Sequence, residues 1–390
     1  MKLAFITIKD PNDIRYYRGV PFFLLSILKK QGIDVICVKN LDLNNNPFLI
    51  IKKLIYRIIV KKKFQIERQP SIIKKYANQI KKELKGKDID LILSPSSIPV
   101  ALLDTDLPIV FWADATFKIM VNFYSDFTHI CKETLCNGEL MEKEALGRAR
   151  LAIYTSTWAA NSAIKDYCAD PMKVKIIPHG SNNLIEPTRE MIDAALELKK
   201  SEKCKLLWIG YNWERKGGDI ALHVTEELNR SGFPTELIII GDKPSIPQPY
   251  PKYIRYIGFI DKYFRDYDDH YTSFFNECHF LILPSRADCT PIVFSEAGSF
   301  GLPVITTNVG GIPSLIFDNI NGIKFESNAE VRNYVNYIKQ QFNDYESYKR
   351  LCISSFTFYK QHHNWESSVK KLIELFEEIR LDSKPAEESV

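Results

Sequence analysis

Four side chains of this 390-residue chain could do chemistry together: the acids Asp288 and Glu296 and the adjacent cations Arg215 and Lys216. The acids share one stretch, Pro284-Ser-Arg-Ala-Asp288-Cys289-Thr290-Pro291-Ile292-Val-Phe-Ser-Glu296-Ala-Gly298-Ser-Phe-Gly301-Leu-Pro303, which runs on to Gly310-Gly311-Ile-Pro313. Seven residues separate the two acids, a spacing that can put a carboxylate on each side of one bound ligand. The cations lie in Tyr211-Asn-Trp213-Glu214-Arg215-Lys216-Gly217-Gly218. Two positive charges beside two glycines at a strand-to-helix turn suit a diphosphate, because helix N-terminal N–H groups add to the cations. The plain alternatives are a solvated basic turn, and a capping Asp followed by an exposed Glu.

Those residues need elements to hold them. Residues 280–283, Phe-Leu-Ile-Leu, form a short apolar run that predicts a buried parallel strand. A polar loop follows over 285–289, and Thr290-Pro291 reads as N-cap and first helical residue. That helix is expected to end at a Gly301 cap, with a strand opening at Pro303. Residues 205–210 predict another strand, which feeds the cationic turn and then a helix from Ile220. The same alternation fills the chain. Strands are expected over 2–8, 34–38, 89–93, 109–112, 152–155, 174–177, 236–240 and 253–258. Helices are expected over 20–30, 133–149, 264–277 and 328–380. This pattern predicts an α/β chain of doubly wound parallel sheets, which bind ligands at the C-terminal edges of their strands.

At this length two domains are expected, 1–190 and 200–365, joined by a polar linker over 181–203. Residues 366–390 would be a last helix and, over 381–390, a frayed tail. Two more residues sit where strands end. Gly19, in Tyr16-Tyr17-Arg18-Gly19-Val20-Pro21, either lets the backbone approach a ligand or makes an ordinary turn. Asp114, in Trp112-Ala-Asp114, either projects beyond the strand end or caps the next helix.

Composition narrows the class. Hydrophobic residues make up 45% and charged residues 26%, and net charge is +4, so nothing points to a nucleic-acid partner. No apolar run reaches membrane-spanning length, and the N-terminus is too short for a signal peptide. The eight Cys show no CxxC pairs and read as reduced thiols of a cytoplasmic protein. The His residues form no HExxH, so no metal site is expected, and GxxxxGK[ST] and GxGxxG are both lacking. Residues 51–87 carry thirteen Lys or Arg against Glu67 and Glu83, an excess of +11. This stretch reads either as a basic amphipathic surface for anionic lipid or as a helix packed on the sheet with solvated charges.

The stretch around Asp288 and Glu296 resembles the E-x7-E signature of family 4 glycosyltransferases, with Asp288 in place of the first Glu. Pro284-Ser285, Gly301-Leu-Pro303-Val, Gly310-Gly311-Ile-Pro313, Lys216-Gly217, Tyr253-Ile-Arg-Tyr-Ile-Gly258 and Ile177-Pro178-His179-Gly180 resemble further words of that family. Tyr211 departs from it, standing where the family usually has Arg. The resemblance implies a GT-B-like fold of two Rossmann-like domains facing a central cleft, with the last helix crossing back to the first. It implies sugar transfer, with retention, from a nucleotide-diphosphate sugar to a hydroxyl of a glycan, lipid-linked glycan or small molecule. UDP- or GDP-sugar is the expected donor, with no permanently bound cofactor and no metal. On this resemblance Asp288 contacts the donor sugar, and Cys289, Thr290, Pro291 and Ile292 present backbone to sugar and diphosphate. Glu296 takes the ribose, Gly258 lies near the base and Gly19 near the diphosphate. Arg215 and Lys216 stabilise the leaving diphosphate, and Asp114 lies near the transferred sugar. Rival readings are a nucleotide-sugar epimerase or hydrolase, a sugar phosphorylase, and a non-catalytic sugar-nucleotide binder.

Overall fold

The computed structural model describes residues 1–42, 46–261, 263 and 268–382. The chain divides into two units: Met1–Pro178 with the chain from Ser368 onward, and His179–Ser367.

The first unit is built on a six-stranded sheet. Its strands are β1 (Lys2–Ile6), β2 (Asp34–Val38), β3 (Leu91–Ser94), β4 (Ile109–Ala113), β5 (Ala149–Tyr154) and β6 (Val174–Ile176). Their order is β2-β1-β3-β4-β5-β6, and every pairing is parallel. The second unit repeats the design with β7 (Cys204–Gly210), β8 (Thr235–Gly241), β9 (Ile254–Gly258), β10 (Phe280–Leu283), β11 (Val304–Thr307) and β12 (Gly322–Phe325). The order is β12-β11-β10-β7-β8-β9, again all parallel. Central strands are apolar on both faces because helices cover both faces. Leu237, Ile238, Ile239 and Ile240 are all buried, as are the four residues of β10. The expected doubly wound α/β class is therefore what the chain adopts.

In each sheet the strand order runs outward in two directions from one junction. In the second unit that junction lies between β7 and β10. Chain leaving neighbouring strands there goes to opposite faces, which opens a crevice at their C-terminal ends. The loops leaving β7 and β10 carry Arg215, Lys216 and Asp288.

Several boundaries differ from the sequence expectation. Residues 181–203 are not a plain linker. They hold the helix Arg189–Leu198, and its Ile192, Ala195 and Leu196 are buried in the second unit. Its apolar residues are interspersed with Arg189, Glu190, Asp193 and Glu197, but the i, i+3, i+4 spacing of Ile192, Ala195 and Leu196 makes a core face. The helix after β10 begins one residue late, at Ile292, with Pro291 as N-cap in extended backbone. It ends at Ser299 with Phe300 as C-cap, so Gly301 sits one position further on with φ +60°. Left-handed glycine at that place is the usual way to close a helix. The helix expected over 264–277 is described over Asp268–Glu277, and residues 264–267 lie outside the described residues. The last helix runs Trp365–Asp382, so Leu381 and Asp382 are helical where a tail was expected, and 383–390 lie outside the described residues. From Ser368 onward this helix belongs to the first unit, burying Val369, Leu372, Phe376 and Ile379.

The basic stretch is two different things. The helix Pro70–Leu84 buries Ile72, Ile73, Tyr76 and Ile80 against the first sheet and leaves its lysines in solvent, the packed-helix alternative. Pro47–Ile55 and the wide turn Tyr56–Val60 that extends it behave otherwise: most of their aliphatic side chains face solvent.

Candidate functional site

The loop after β7 is short and tightly held. Asn212, with φ +66°, accepts at Oδ1 from the Arg215 amide (3.1 Å), and its own carbonyl accepts from the Lys216 amide (3.0 Å). Trp208 Nε1 donates to the Lys216 carbonyl (3.2 Å). Gly217 then takes φ +66°, and a Cβ added there would lie 2.0 Å from the Pro284 carbonyl oxygen. Glycine is required on both counts: left-handed backbone, and contact with the end of β10. Its absent side chain lets the two loops touch, and the Arg286 amide donates to the Arg215 carbonyl across them (2.7 Å).

That contact brings together three charges that are far apart in sequence. Lys216 Nζ pairs with Asp288 Oδ2, and both residues are about 95% buried. Arg215 Nη1 donates to the Ala287 carbonyl (2.7 Å) and lies 3.5 Å from the same Asp288 oxygen. Ser285 Oγ is 3.4 Å from that oxygen too. Two cations on one carboxylate leave a net positive charge in a poorly hydrated place. Such a cluster is a weak stability device, since desolvating the ions offsets most of their attraction. It is a fitting receptor for an anion. Arg286, the other cation of the stretch, serves structure instead. It grips Asp219 with both terminal nitrogens (2.7 and 2.6 Å), fixing the start of the helix Gly218–Arg230.

Glu296 lies inside the helix Ile292–Ser299 and is buried. Its Oε2 accepts from Tyr271 Oη (2.8 Å). Burial, and the Glu296 carboxylate beside it, push the Tyr271 phenol well above its ordinary pKa, so it stays a donor. Burial and the same carboxylate raise Tyr263 as well. Sequence reading missed Tyr271. The available signal was a tyrosine on the apolar face Tyr271-Phe274-Phe275-Cys278, since a buried phenol must find an acceptor. Of the backbone positions expected to face sugar and diphosphate, Cys289 and Pro291 are buried, and Thr290 and Ile292 are partly exposed. The Phe294 amide already donates to the Pro291 carbonyl (3.0 Å), and helix amides ahead of it have no partner within the helix, the usual donors to an anion.

Gly258 ends β9 with φ +86°. Beside it Phe259 is exposed, and its ring centroid lies 6.0 Å from that of the exposed Tyr211. Tyr211, the departure noted from sequence, is thus half of an aromatic pair at the same sheet edge.

The remaining two site residues belong to the first unit. Asp114 directly follows β4 and accepts from Tyr17 Oη (3.0 Å). The helix Phe117–Met120 that follows has Thr116 as its N-cap, not Asp114. Gly19 closes a run of three left-handed residues, Tyr17 (φ +47°), Arg18 (φ +56°) and Gly19 (φ +86°). Non-glycine residues in this region cost of order 1 kcal/mol each and gather at functional loops. Among the described residues no three His, Cys, Asp or Glu side chains gather where they could hold a metal ion.

Comparison with known proteins places this geometry. Residues 203–344, from β7 through the helix Val331–Asn343, match the family model for glycosyl transferases group 1. The D-inositol 3-phosphate glycosyltransferase of Segniliparus rotundus is 24% identical over 215 residues, 51% of this chain and 48% of its own. The chain spans about half the length of the curated relatives it matches. Among solved structures, sucrose-phosphate synthase from Thermosynechococcus elongatus superposes with TM-score 0.70 at 16% identity, covering 98% of this chain and 100% of that one. Anabaena HepE in complex with UDP and glucose superposes with TM-score 0.62 at 15% identity, covering 97% and 100%. The chain therefore has the GT-B-like α/β fold, and the match to the group 1 glycosyl transferases covers its residues 203–344.

Proposed function

We propose that this protein is a glycosyltransferase that moves a sugar from a nucleoside-diphosphate sugar to an acceptor hydroxyl. The observation that carries this reading is the cluster of Lys216, Arg215 and Asp288 at the strand-order junction of a group 1 glycosyl transferase domain. In the reaction the bond between the anomeric carbon and the diphosphate oxygen breaks, and its electron pair goes to the diphosphate. A new bond joins the anomeric carbon to the acceptor oxygen, whose proton passes to the departing diphosphate. Charge grows on the leaving diphosphate as the bond breaks. Fixed cations and first-turn amides stabilise that charge without reorganising, which is how they lower the barrier. Asp288 holds the Lys216 ammonium in place and is in this reading a positioning residue as well as a partner for sugar hydroxyls.

The finer assignments rest on the same residues. Glu296 takes the ribose hydroxyls, and the Tyr211–Phe259 pair gives the base an aromatic surface. UDP-sugar is the preferred donor, since HepE, a fold neighbour, holds UDP. Asp114 with Tyr17 serves the acceptor side in the first unit, and a glycan or lipid-linked glycan is the acceptor class. The resemblance to family 4 supports retention, and two cations at the diphosphate seat support transfer without a metal ion.

Four measurements test the reading. A thermal-shift screen against UDP-, GDP- and ADP-sugars should show stabilisation by one of them, UDP-sugar first. Replacing Arg215 and Lys216 together by Ala should lower kcat by at least about a hundredfold, the scale for losing a transition-state charge partner, with a smaller change in donor affinity. NMR of the product's anomeric proton reads the stereochemistry, and EDTA should leave turnover intact. Donor hydrolysis or epimerisation in the absence of any acceptor would replace this reading, as would donor binding with no turnover.

A further inference from the structure

The helix Pro47–Ile55 and its extension Tyr56–Val60 invert the usual pattern of a surface helix. Leu49 is buried, and Tyr56 stacks on the buried Phe64 with ring centroids 5.2 Å apart. Lys52 Nζ pairs with Glu133 (2.7 Å), and Tyr56 Oη donates to the same carboxylate (3.3 Å). Just beyond, Lys63 bonds by its backbone to both His129 and Cys131, so the segment is anchored at that end. These contacts hold one face of the segment to the first unit.

Another face is apolar and open. Phe48, Ile51, Ile55, Ile58 and Ile59 fall at i, i+3, i+7, i+10 and i+11, one side of a helix. Ile58 is 63% exposed and Ile59 74%. A contiguous aliphatic strip of this kind marks a binding surface, because leaving it in water costs free energy with no return within the monomer. The rim is cationic: Lys53, Arg57, Lys61 and Lys62 are exposed, and residues 46–63 hold no Asp or Glu. Among the described residues no helix is long and apolar enough to cross a membrane.

We propose that residues 47–62 lie in the interface of an anionic lipid bilayer, the aliphatic strip among the acyl chains and the Lys and Arg rim on the phosphates. The layering of charge above hydrocarbon selects lipid as the occupant. A second copy of this chain would bring two cationic rims together and is disfavoured by that repulsion. The surface is narrower than the whole basic stretch, since Pro70–Leu84 turns its apolar side inward. It is also independent of the proposed reaction, because vesicle binding needs no sugar.

The test uses the full chain and vesicles of phosphatidylcholine with or without phosphatidylglycerol. Wild-type protein should sediment with phosphatidylglycerol vesicles at low salt and bind those without it much less. Ile58→Asp with Ile59→Asp should weaken binding by about tenfold or more, since each carboxylate replaces buried hydrocarbon. Lys53→Glu with Arg57→Glu should do likewise by charge. Lys82→Glu with Lys85→Glu, at the C-terminal end of the packed helix, should cost much less than either. An Ile59→Trp variant should show a blue shift of its emission when vesicles are added. All the substituted side chains are exposed, so far-ultraviolet circular dichroism should match wild type in each case. Any of these results would overturn the proposal: no sedimentation of wild-type protein with anionic vesicles at low salt; full binding by the Ile58→Asp/Ile59→Asp variant; or no Trp blue shift. Concentration-dependent self-association of the free protein, abolished by Ile58→Asp/Ile59→Asp, would assign the strip to a second copy instead.

Discussion

Asp288 shows how one carboxylate can serve two ends. It satisfies a buried lysine and draws in Arg215, so its removal should be felt in both folding and turnover. Asp288→Asn leaves the Lys216 ammonium buried without its counter-charge, which costs about 3 kcal/mol on the scale of broken buried pairs. Urea denaturation would measure that loss. In steady-state kinetics kcat should fall more than donor affinity, because a misplaced ammonium matters most when charge develops. An unchanged urea midpoint with normal kcat would remove Asp288 from both roles. Glu296 is expected to behave differently. Glu296→Gln can still accept the Tyr271 hydroxyl, so stability should hold within about 1 kcal/mol. Binding of the nucleoside diphosphate should weaken by about 1–3 kcal/mol, the worth of charge-assisted hydrogen bonds to two hydroxyls. Calorimetry decides it, and unaltered affinity would place the ribose elsewhere.

At the scale of elements, the site depends on how closely the loop after β7 can approach the end of β10. Gly217 sets that distance, while Gly232 offers an internal comparison. Both are left-handed, at φ +66° and +74°. A side chain at Gly232 meets nothing within 4 Å, but one at Gly217 meets the Pro284 backbone. Gly232→Ala should therefore cost about 1 kcal/mol, the backbone penalty alone. Gly217→Ala adds a collision with backbone that cannot move without shifting β10, and should cost about 3 kcal/mol or more. Thermal melting of the two variants side by side tests this. Equal losses would mean that the loops are free to part.

At the scale of the whole molecule, two buried histidines couple stability to pH. Burial lowers the pKa of His179 to about 3 and that of His279 to about 4. The neutral state of His279 is also visible in its bonds: Nδ1 accepts from the Lys205 amide (3.0 Å), leaving Nε2 to donate to the Lys199 carbonyl (3.0 Å). Unfolded histidine takes up a proton near pH 6.5. Below that pH the unfolded state binds more protons, so stability falls as pH falls. The loss should be on the order of 1 kcal/mol per pH unit for each histidine, from about pH 6.5 down to about 4, with no histidine contribution above that range. His179→Phe keeps a ring against Trp365, 5.4 Å away in the native stack, and removes one titration. Urea midpoints across this pH range should then show a shallower slope. An unchanged slope would mean that His179 is hydrated in the native state.

The sequence by itself determined the fold class and five strands of the second sheet, while β12, Gly322–Phe325, was not among the expected strands. Apolar runs such as Leu237-Ile-Ile-Ile240 can only be strands covered on both faces, and the turns between them carry Gly, Asn and Pro at the places backbone geometry requires. It also marked Asp288, Glu296, Arg215 and Lys216, because their spacing relative to strand ends is a local property. Their partners were decided only in three dimensions. Lys216 meets Asp288 across 72 residues, and Tyr17 meets Asp114 across 97. The first contact depends on β7 lying beside β10 and the second on β3 alone separating β1 from β4, which no local pattern records. The helix Arg189–Leu198 stayed hidden because its four charged residues are interspersed among its apolar ones, while only the tertiary fold decides which face counts. The basic stretch makes the same point from the other side. Its charge was plain to read, but helices Pro47–Ile55 and Pro70–Leu84 both carry aliphatic and cationic side chains. Only the packing of Ile72, Ile73, Tyr76 and Ile80 on the first sheet, and the anchoring of Leu49 and Tyr56 beside it, decided which aliphatic face is core and which is left for a partner.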